Sequence, residues 1–419
     1  MWRTRLVPES FRTQPPVVRS LALIAFFVAL GFGIVAPALP LFARQFGVGR
    51  QAAAAVISIF AVMRLVSVLP GGRLANRFGE RRILATGILM VAVSSLLTGF
   101  AQSYVQLIIL RGAGGVGSAM FTVSASALLL RTVPSAKRAQ ANGVFIGGFL
   151  VGGISGPALG GVITGISPRA PFFIYAATLV AAASVGLRRL PQLEQRSESE
   201  TAVVADTPTM SLREAWRSAA YRAAVITQLA DNWAIVGVRS ALLPLFVVEV
   251  LHRRPYWTGL GFLLLALINA AMLLPAGHWA DTRGRKPVMF LGLTICGSGF
   301  ALIAVWESLP GFLLAMAILG FGSGMLDVAP SAIVGDLADG RRAGTPVAVN
   351  QMAGDVGSIT GPLVGGRLAD HVGYTAAFTM SAIVLGIASG FVVVMPETRR
   401  DSEVSADPSP LPDAAPGVP

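Results

Sequence analysis

A chain of 419 residues that is 54% hydrophobic and only 13% charged lies far from soluble globular domains, about 25% of whose residues are charged, and is composed for a lipid bilayer. Twelve spans of about 20 apolar residues take up ~240 positions, leaving enough for short connections, one longer linker and two tails. The net charge of +12 does not indicate nucleic acid, because the basic residues are dispersed between apolar stretches and form no stripe with aromatic partners.

Apolar runs bounded by Gly, Pro and charge predict helices near residues 21–43, 52–70, 83–101, 104–130, 143–166 and 171–187, then near 223–248, 257–276, 288–306, 310–334, 347–366 and 373–395. The first run follows Arg3, Arg5, Arg12 and Arg19 as a signal peptide would, but it is too long and lacks a small-x-small cleavage site, so it reads as a retained helix. With the N-terminus placed in the cytoplasm, the inner segments hold 24 Lys/Arg and the outer loops 6. Basic residues resist translocation, so this imbalance predicts both termini inside and a multi-pass protein of the cell (inner) membrane. The expected division is a cytoplasmic N-terminal tail (1–20), a six-helix half (21–187), a polar cytoplasmic linker (188–222), a second six-helix half (223–395) and a Pro-rich, acidic, disordered tail (396–419).

Several chemistries are excluded. The single cysteine, Cys296, allows neither a disulfide framework nor a cysteine-based zinc site. A phosphate-binding loop for nucleotide-driven pumping needs a lysine before Ser or Thr, whereas Lys137 precedes Arg138 and Lys286 precedes Pro287. Gly112-Ala-Gly114-Gly-Val-Gly117 satisfies Gly-x-Gly-x-x-Gly but lies within an apolar span, with no separate strand before it and no acid ~20 residues later. His252, His278 and His371 have no ligand spacing, and no nucleophile, base and metal gather in one place, so neither an enzyme nor a cofactor is expected.

The strongest pattern is an internal repeat. Gly72-Arg-Leu-Ala-Asn76-Arg77-Phe-Gly79 recurs 205 residues later as Gly277-His-Trp-Ala-Asp281-Thr-Arg-Gly284. Gly117-Ser118-Ala-Met120 recurs at the same displacement as Gly322-Ser323-Gly-Met325. Gly152-x-x-x-Gly156-Pro157-x-x-Gly160-Gly161 recurs, again displaced by 205, as Gly357-x-x-x-Gly361-Pro362-x-x-Gly365-Gly366. Pro40-Leu-Phe42 returns as Pro244-Leu-Phe246 at 204. Four matches at a nearly constant displacement, across separate helices, mean duplicated halves.

These residues resemble the major facilitator superfamily over essentially the whole chain apart from the tails and linker. The motif after the second helix, Gly-x-x-x-Asp-Arg/Lys-x-Gly-x-Arg/Lys-Arg/Lys, is matched by Gly72, Arg77, Gly79, Arg81 and Arg82, with Asn76 in place of its acid. The later copy keeps Gly277, Asp281, Gly284, Arg285 and Lys286 but has Thr282 where a base is usual. Arg111 with Gly115 and Gly117 is similar to the helix 4 motif of proton-linked members, with Gly114 at its usual Gln, and the pattern ending Gly156-Pro157-x-x-Gly160-Gly161 is similar to the antiporter motif of the exporters. The resemblance implies an all-α membrane protein, twelve transmembrane helices in two pseudo-symmetric six-helix halves, most similar to the drug:proton antiporters. By the same resemblance the Asn76 and Asp281 segments are gating loops, and helices 1, 4, 7 and 10 line the cavity.

Alternating access needs surfaces where backbones approach closely, which glycines at spacing four supply. Gly152, Gly156, Gly160 and Gly161, with Gly357, Gly361, Gly365 and Gly366, are therefore expected at a moving seam between the halves, with Pro157 and Pro362 permitting kinks; static packing of small residues is the competing reading. Ionisable groups inside spans are expensive and usually functional or paired, and here they are Arg64, Arg111, Asp231, Arg239, Asp327 and Asp355.

Burial disfavours the charged form of a carboxylate, which is how one couples to protons, and Asp231, flanked by Gln228 and Asn232, fits that role best. The alternative is a permanent pair with an arginine. Asp355 is second, either as a proton site or, because the resemblance implies that helices 2 and 11 meet across the seam, as the partner of Arg64 there. Asp327 is third, or simply reaches cytoplasmic water. Arg111 either orients an anionic substrate or bonds carbonyls of a loosened neighbour, and Arg239 is expected to snorkel outward. Trp233, Phe32 and Phe121 are cavity candidates, together with Phe26 and Phe27, against the alternative of plain packing.

The expected activity is proton-coupled export of small, partly hydrophobic compounds by a monomer; proton-linked uptake of a metabolite or organic anion and a non-transporting receptor are the alternatives. The expected partners are a small-molecule substrate, protons and the lipid bilayer.

Overall fold

The computed structural model describes residues 14–133, 138–190, 210–327, 329–338 and 344–398. Most of the expected linker and nearly all of the tail expected to be disordered lie outside these residues. Twelve long helices follow in chain order: α1, in two pieces (Pro16–Val35 and Ala38–Arg44), α2 (Arg50–Phe78), α3 (Glu80–Gly99), α4 (Tyr104–Thr132), α5 (Arg138–Ile166), α6 (Ala170–Arg189), α7 (Ala219–Asp231, Asn232–Val238 and Arg239–Glu249), α8 (Tyr256–Arg283), α9 (Arg285–Val305), α10 (Leu309–Leu326 and Ala329–Ala338), α11 (Gly344–His371) and α12 (Tyr374–Val394). A short helix, Leu212–Arg217, precedes α7. Eleven of the twelve are long and apolar enough to cross a bilayer. The exception, α11, is 28 residues long and carries Asn350, Gln351, Asp355, Arg367 and Asp370. It packs against α2, α7 and α12, so protein covers much of its surface.

Local chemistry sets the helix ends. Ser103 and Ser308, 205 apart, both cap helices, accepting from the N–H groups of Gln106 at 3.3 Å and Gly311 at 3.1 Å. Helices α2 and α8 run on to Phe78 and Arg283, about two turns beyond the ends predicted at residues 70 and 276. Pro70 and Pro275 lie inside continuous helix, and the chain reverses instead at Gly79 and Gly284, whose φ values of 89° and 102° are open to glycine but strained for other residues. The expected gating loops are therefore the last turns of two helices, each followed by a one-residue turn.

The two halves repeat their packing. Helix α1 lies against α5 and α6 as α7 lies against α11 and α12; α4 lies against α2 and α3 as α10 lies against α8 and α9; α3 pairs with α6 as α9 pairs with α12. The halves meet through α2 with α11 and α5 with α8. The glycine stripe corrects the expected seam. Gly152, Gly156 and Gly160 face the α1 backbone at Phe26, Leu30, Gly33 and Ile34, and Gly357 and Gly361 face α7 at Leu229 and Trp233, so the stripe joins helices within each half. Gly365 meets Val238 and Leu242 of α7. Only the last glycine of each motif reaches the other half: Gly161 lies against Gly259 of α8 and Gly366 against Gln51 of α2. One helix presents two faces, and spacing alone could not say which of them met the seam.

Candidate functional site

The end of the bundle that carries residues 16 and 394 is the terminal face, and the opposite end the distal face. At the distal face the halves are tied together. Glu249, the last residue of α7, accepts from Arg44 Nε at 3.0 Å, from Arg50 Nε at 2.8 Å and from the Tyr374 hydroxyl at 2.8 Å. Asp370 of α11 accepts from the backbone N–H groups of Arg50 and Gln51, both at 2.8 Å, placing a carboxylate on the N-terminus of α2. Arg50 also donates to the Ala369 carbonyl at 2.8 Å and lies over the Tyr374 ring at 4.6 Å. Deeper in, Ser58 donates to the Ile359 carbonyl at 2.7 Å, and near mid-depth Arg64 Nη2 donates to Asp355 Oδ1.

These cross-half bonds all lie at mid-depth or toward the distal face. Helices α5 and α8 touch at Gly161 and Gly259, whereas a methyl group placed on Gly143, Gly147 or Gly277, near their terminal-face ends, would meet nothing within 4 Å. On α2, Val66 and Leu69 are 65% and 74% exposed, and on α8 Leu274 is 83% exposed. The bundle is closed at the distal face and splayed at the terminal face.

The deepest polar cluster belongs to the C-terminal half. Asp231 and Arg239 of α7 and Asp327 of α10 lie within electrostatic reach of one another. The Asp231 Oδ1 and Arg239 Nε atoms are inaccessible to solvent and have no hydrogen-bond partner among the described residues. Asn269 of α8 donates from Nδ2 to Asp327 Oδ2 at 2.8 Å and to Ser323 Oγ at 3.1 Å, and Arg239 lies over the Phe262 ring at 5.3 Å. Asp327 is solvent-exposed, at the end of the first piece of α10.

Two helix irregularities build this cluster. Residues Asn232–Val238 between Asp231 and Arg239 form a π-helix. On a regular α-helix, residues eight apart point roughly 80° away from each other, and the wider i→i+5 turn reduces that offset. Helix α10 breaks after Leu326, directly at Asp327, so this carboxylate sits at a helix terminus and not inside a continuous span.

The Major Facilitator Superfamily profile matches residues 21–268 and 232–414. The chain belongs to that superfamily. It is 24% identical to Multidrug resistance protein 1 of Bacillus subtilis (strain 168) over 382 residues, 89% of this chain and 95% of that protein. It is 28% identical to Multidrug resistance protein MdtG of Proteus mirabilis (strain HI4320) over 381 residues, 86% of this chain and 90% of that one. Among solved structures it is similar to a bacterial homolog of the human lysosomal transporter Spinster in an inward-facing and occupied conformation, with a TM-score of 0.73 at 15% identity, covering 90% of this chain and 95% of that one. As a superfamily member with efflux proteins among its relatives, the chain is a multi-pass membrane transporter of the kind that resembles the drug:proton antiporters.

Within the superfamily fold the candidate residues divide. Asp231, Asp327 and Arg239 come together, and Arg64 meets Asp355. Arg239 does not snorkel: a nitrogen of its guanidinium is sealed from solvent, because the π segment turns it back toward Asp231. Arg111 is 2% exposed and stacks over the Phe60 ring at 4.5 Å, so in this state the N-terminal half encloses it and it does not line the cavity. Phe121 is 3% exposed and packs against Phe149, a core residue and not a cavity one. Phe32 stays 42% exposed, next to Phe60. Gln228 and Asn232 turn toward α11: Asn232 Nδ2 donates to the Gln228 carbonyl at 2.9 Å, and both side chains abut Gly354. Trp233 lays its backbone on Gly357 and Gly361, and its indole N–H has no partner among the described residues.

At the terminal face the two motif copies differ in sign. Arg285 bonds Asp281 at 2.5 Å and Asp336 at 3.2 Å. The residues 205 earlier form a pair of opposite polarity, Glu80 with Arg131, at 2.6 Å. Asn76 is exposed, Gly72 contacts Val123 of α4, and Arg81 donates to the Leu187 carbonyl. Thr345 and Pro346 lie within α11.

Sequence reasoning missed Asn269 and the distal network of Arg44, Arg50, Glu249, Asp370 and Tyr374. Asn269 carried a signal, because it stands 205 residues after Arg64.

Proposed function

We propose that this transporter exports small, partly hydrophobic compounds, cations among them, in exchange for protons. The observation that carries this reading is the cluster of two carboxylates, Asp231 and Asp327, with one arginine, Arg239, of which Asp327 is open to solvent. With all three ionised, one negative charge is left over. A proton or a cationic group can neutralise it, and the two compete, which is the requirement for obligatory exchange. Asp231 is assigned the proton, with Asp327 positioned by Asn269 as its partner, and Asp355 held by Arg64 as a latch near the seam.

The 24 to 6 charge imbalance supports a cytoplasmic terminal face. On that reading the splayed state is open inward, ready to load a cytoplasmic compound. The division into two six-helix halves joined by a cytoplasmic linker belongs to the same proposal. The relatives named for multidrug resistance support export over uptake, and the enclosure of Arg111 gives an organic anion no exposed arginine at that position. The test is a solute screen in proteoliposomes with an imposed pH gradient. Accumulation driven by inward proton flow supports the reading, whereas gradient-independent uptake of every transported solute would overturn proton coupling.

A further inference from the structure

Helices α1 and α7 each leave one position open along an otherwise covered length. From Ser20 to Arg44 every residue is buried or partly buried except Phe32, which is 42% exposed. From Ala223 to Glu249 the exception is Val236, 38% exposed. The two positions are structurally equivalent, because the glycine that follows each is seated in the same way. A methyl group on Gly33 would lie 2.8 Å from Pro157 Cδ and 3.0 Å from Gly156 Cα, and one on Gly237 would lie 2.9 Å from Pro362 Cδ and 3.3 Å from Gly361 Cα. Phe32 and Val236 are 204 residues apart, the displacement that also relates Pro40 to Pro244.

Equivalent faces of α1 and α7 open toward the same place. Each helix is packed within its own half, α1 on α5 and α6 and α7 on α11 and α12, and their distal ends are bonded to each other through Arg44 and Glu249. The uncovered side of each helix therefore lines the gap between the halves. What the two sides present there differs. Phe32 lies 6.3 Å, ring to ring, from Phe60 of α2, and the Arg111 guanidinium stacks over the Phe60 ring at 4.5 Å, so the N-terminal wall is aromatic and braced from within its half. Val236 lies inside the π segment between Asp231 and Arg239, so the aliphatic wall is the one that carries the charges. Of the aromatic candidates Phe26, Phe27, Phe32, Phe121 and Trp233, only Phe32 is exposed.

We infer that Phe32 is a specificity-determining residue, which offers the solute a ring face from the N-terminal half, opposite Val236, and selects cations carrying a planar aromatic ring over cations of the same size without one. Resting on the export reading proposed above, the solute's cationic group meets the one negative charge left over by Asp231, Asp327 and Arg239. Asp231 Oδ1 and Arg239 Nε are sealed from solvent without a hydrogen-bond partner among the described residues, so this cluster has bonding capacity that a ligand can take up. Ring-to-ring contact adds to the burial of apolar area by about three- to tenfold in affinity, whereas a valine offers area alone.

The test uses the full-length protein in detergent and two permanently charged probes of matched size, benzyltrimethylammonium and its ring-saturated analogue (cyclohexylmethyl)trimethylammonium, with binding read by equilibrium dialysis. The parent should bind the aromatic probe about three- to tenfold more tightly. Phe32→Leu, which keeps an apolar side chain, should abolish that preference. Phe32→Tyr, which keeps the ring and guards against misfolding, should preserve it, and Val236→Phe, which adds a ring at the equivalent exposed position, should raise it. Equal binding of the two probes by the parent, or the parent's preference retained in Phe32→Leu, would overturn the assignment. Uptake of the same probes into proteoliposomes under a pH gradient separates this assignment from the export reading. Gradient-driven transport of both probes with no preference overturns the role of Phe32 and leaves proton-coupled export standing, whereas an aromatic preference in binding with no gradient-driven transport overturns proton-coupled export and leaves the role of Phe32 standing.

Discussion

Arg44 at the end of α1 and Glu249 at the end of α7 are bonded to each other across the distal face at 3.0 Å. Duplication places the ends of α1 and α7 on either side of the seam, and opposite charges one register position apart close them into a clasp. With Arg50 on the other oxygen of Glu249, one carboxylate holds the ends of α1 and α2 against the end of α7.

Opening the distal face must break this clasp, so Glu249→Gln should favour the state closed at the terminal face. Each partly exposed ion pair contributes about 0.2–1 kcal/mol, so the loss of two shifts the population ratio by roughly two- to thirtyfold. Spin labels at Arg73→Cys and His278→Cys, in a Cys296→Ser background, report the gap between α2 and α8 at the terminal face. The inter-label distance should shorten in the Glu249→Gln variant; an unchanged distribution would mean the clasp does not set the resting state.

Asp231→Asn should abolish gradient-driven flux while leaving solute exchange measurable, because exchange needs the solute site but no net proton movement. Asp327→Asn should weaken cationic solutes more than neutral ones. Parent-like gradient-driven transport by Asp231→Asn would move the proton assignment elsewhere.

In the proposed mechanism the Arg64–Asp355 bond is a latch and carries no proton. Either single neutralisation should reduce transport, whereas Arg64→Asp/Asp355→Arg should restore a substantial part of it. Failure of the swap, with both single variants inactive, would return Asp355 to the proton carriers.

The glycine stripe makes a stability prediction. A methyl group at Gly156 would lie 2.7 Å from the Gly33 Cα, while at Gly153 it meets nothing within 4 Å. Gly156→Ala should lower stability by about 1–3 kcal/mol through overpacking, and Gly153→Ala should be neutral. Thermal unfolding of the purified protein distinguishes them, and equal midpoints would contradict the packing described.

Asn76 keeps a hydrogen-bonding oxygen but lacks the charge of its repeat counterpart Asp281. By the family resemblance, the acid at this position faces a helix N-terminus of the opposite half when the terminal face is closed, where a carboxylate contributes about 0.3–1 kcal/mol, two- to fivefold in a two-state ratio. Asn76→Asp should therefore narrow the same Arg73–His278 label distance, and Asp281→Asn should widen it. A wider distance in Asn76→Asp would mean that Asn76 is not the gating counterpart of Asp281.

The sequence by itself determined the membrane class, the twelve helices and the duplication. Apolar span length and glycine register are local, one-dimensional properties, and a constant displacement of 205 survives in the linear chain. It also singled out the six ionisable groups inside the spans, because their expense in lipid is independent of neighbours. It misjudged the ends of α2 and α8, since the apolar runs stop near residues 70 and 276 while the helices continue through the polar residues that follow. Tertiary structure decided which face of a helix meets which partner. Gly152 and Gly161 belong to one motif, yet one closes on α1 and the other on α8, because side chains on a single helix point in different directions around its axis. It also decided how charges group: the π segment brings Arg239 toward Asp231, and which carboxylate on α10 meets them depends on how separate helices pack, although the break at Asp327 itself follows from Pro330, which removes the N–H that would bond the Leu326 carbonyl.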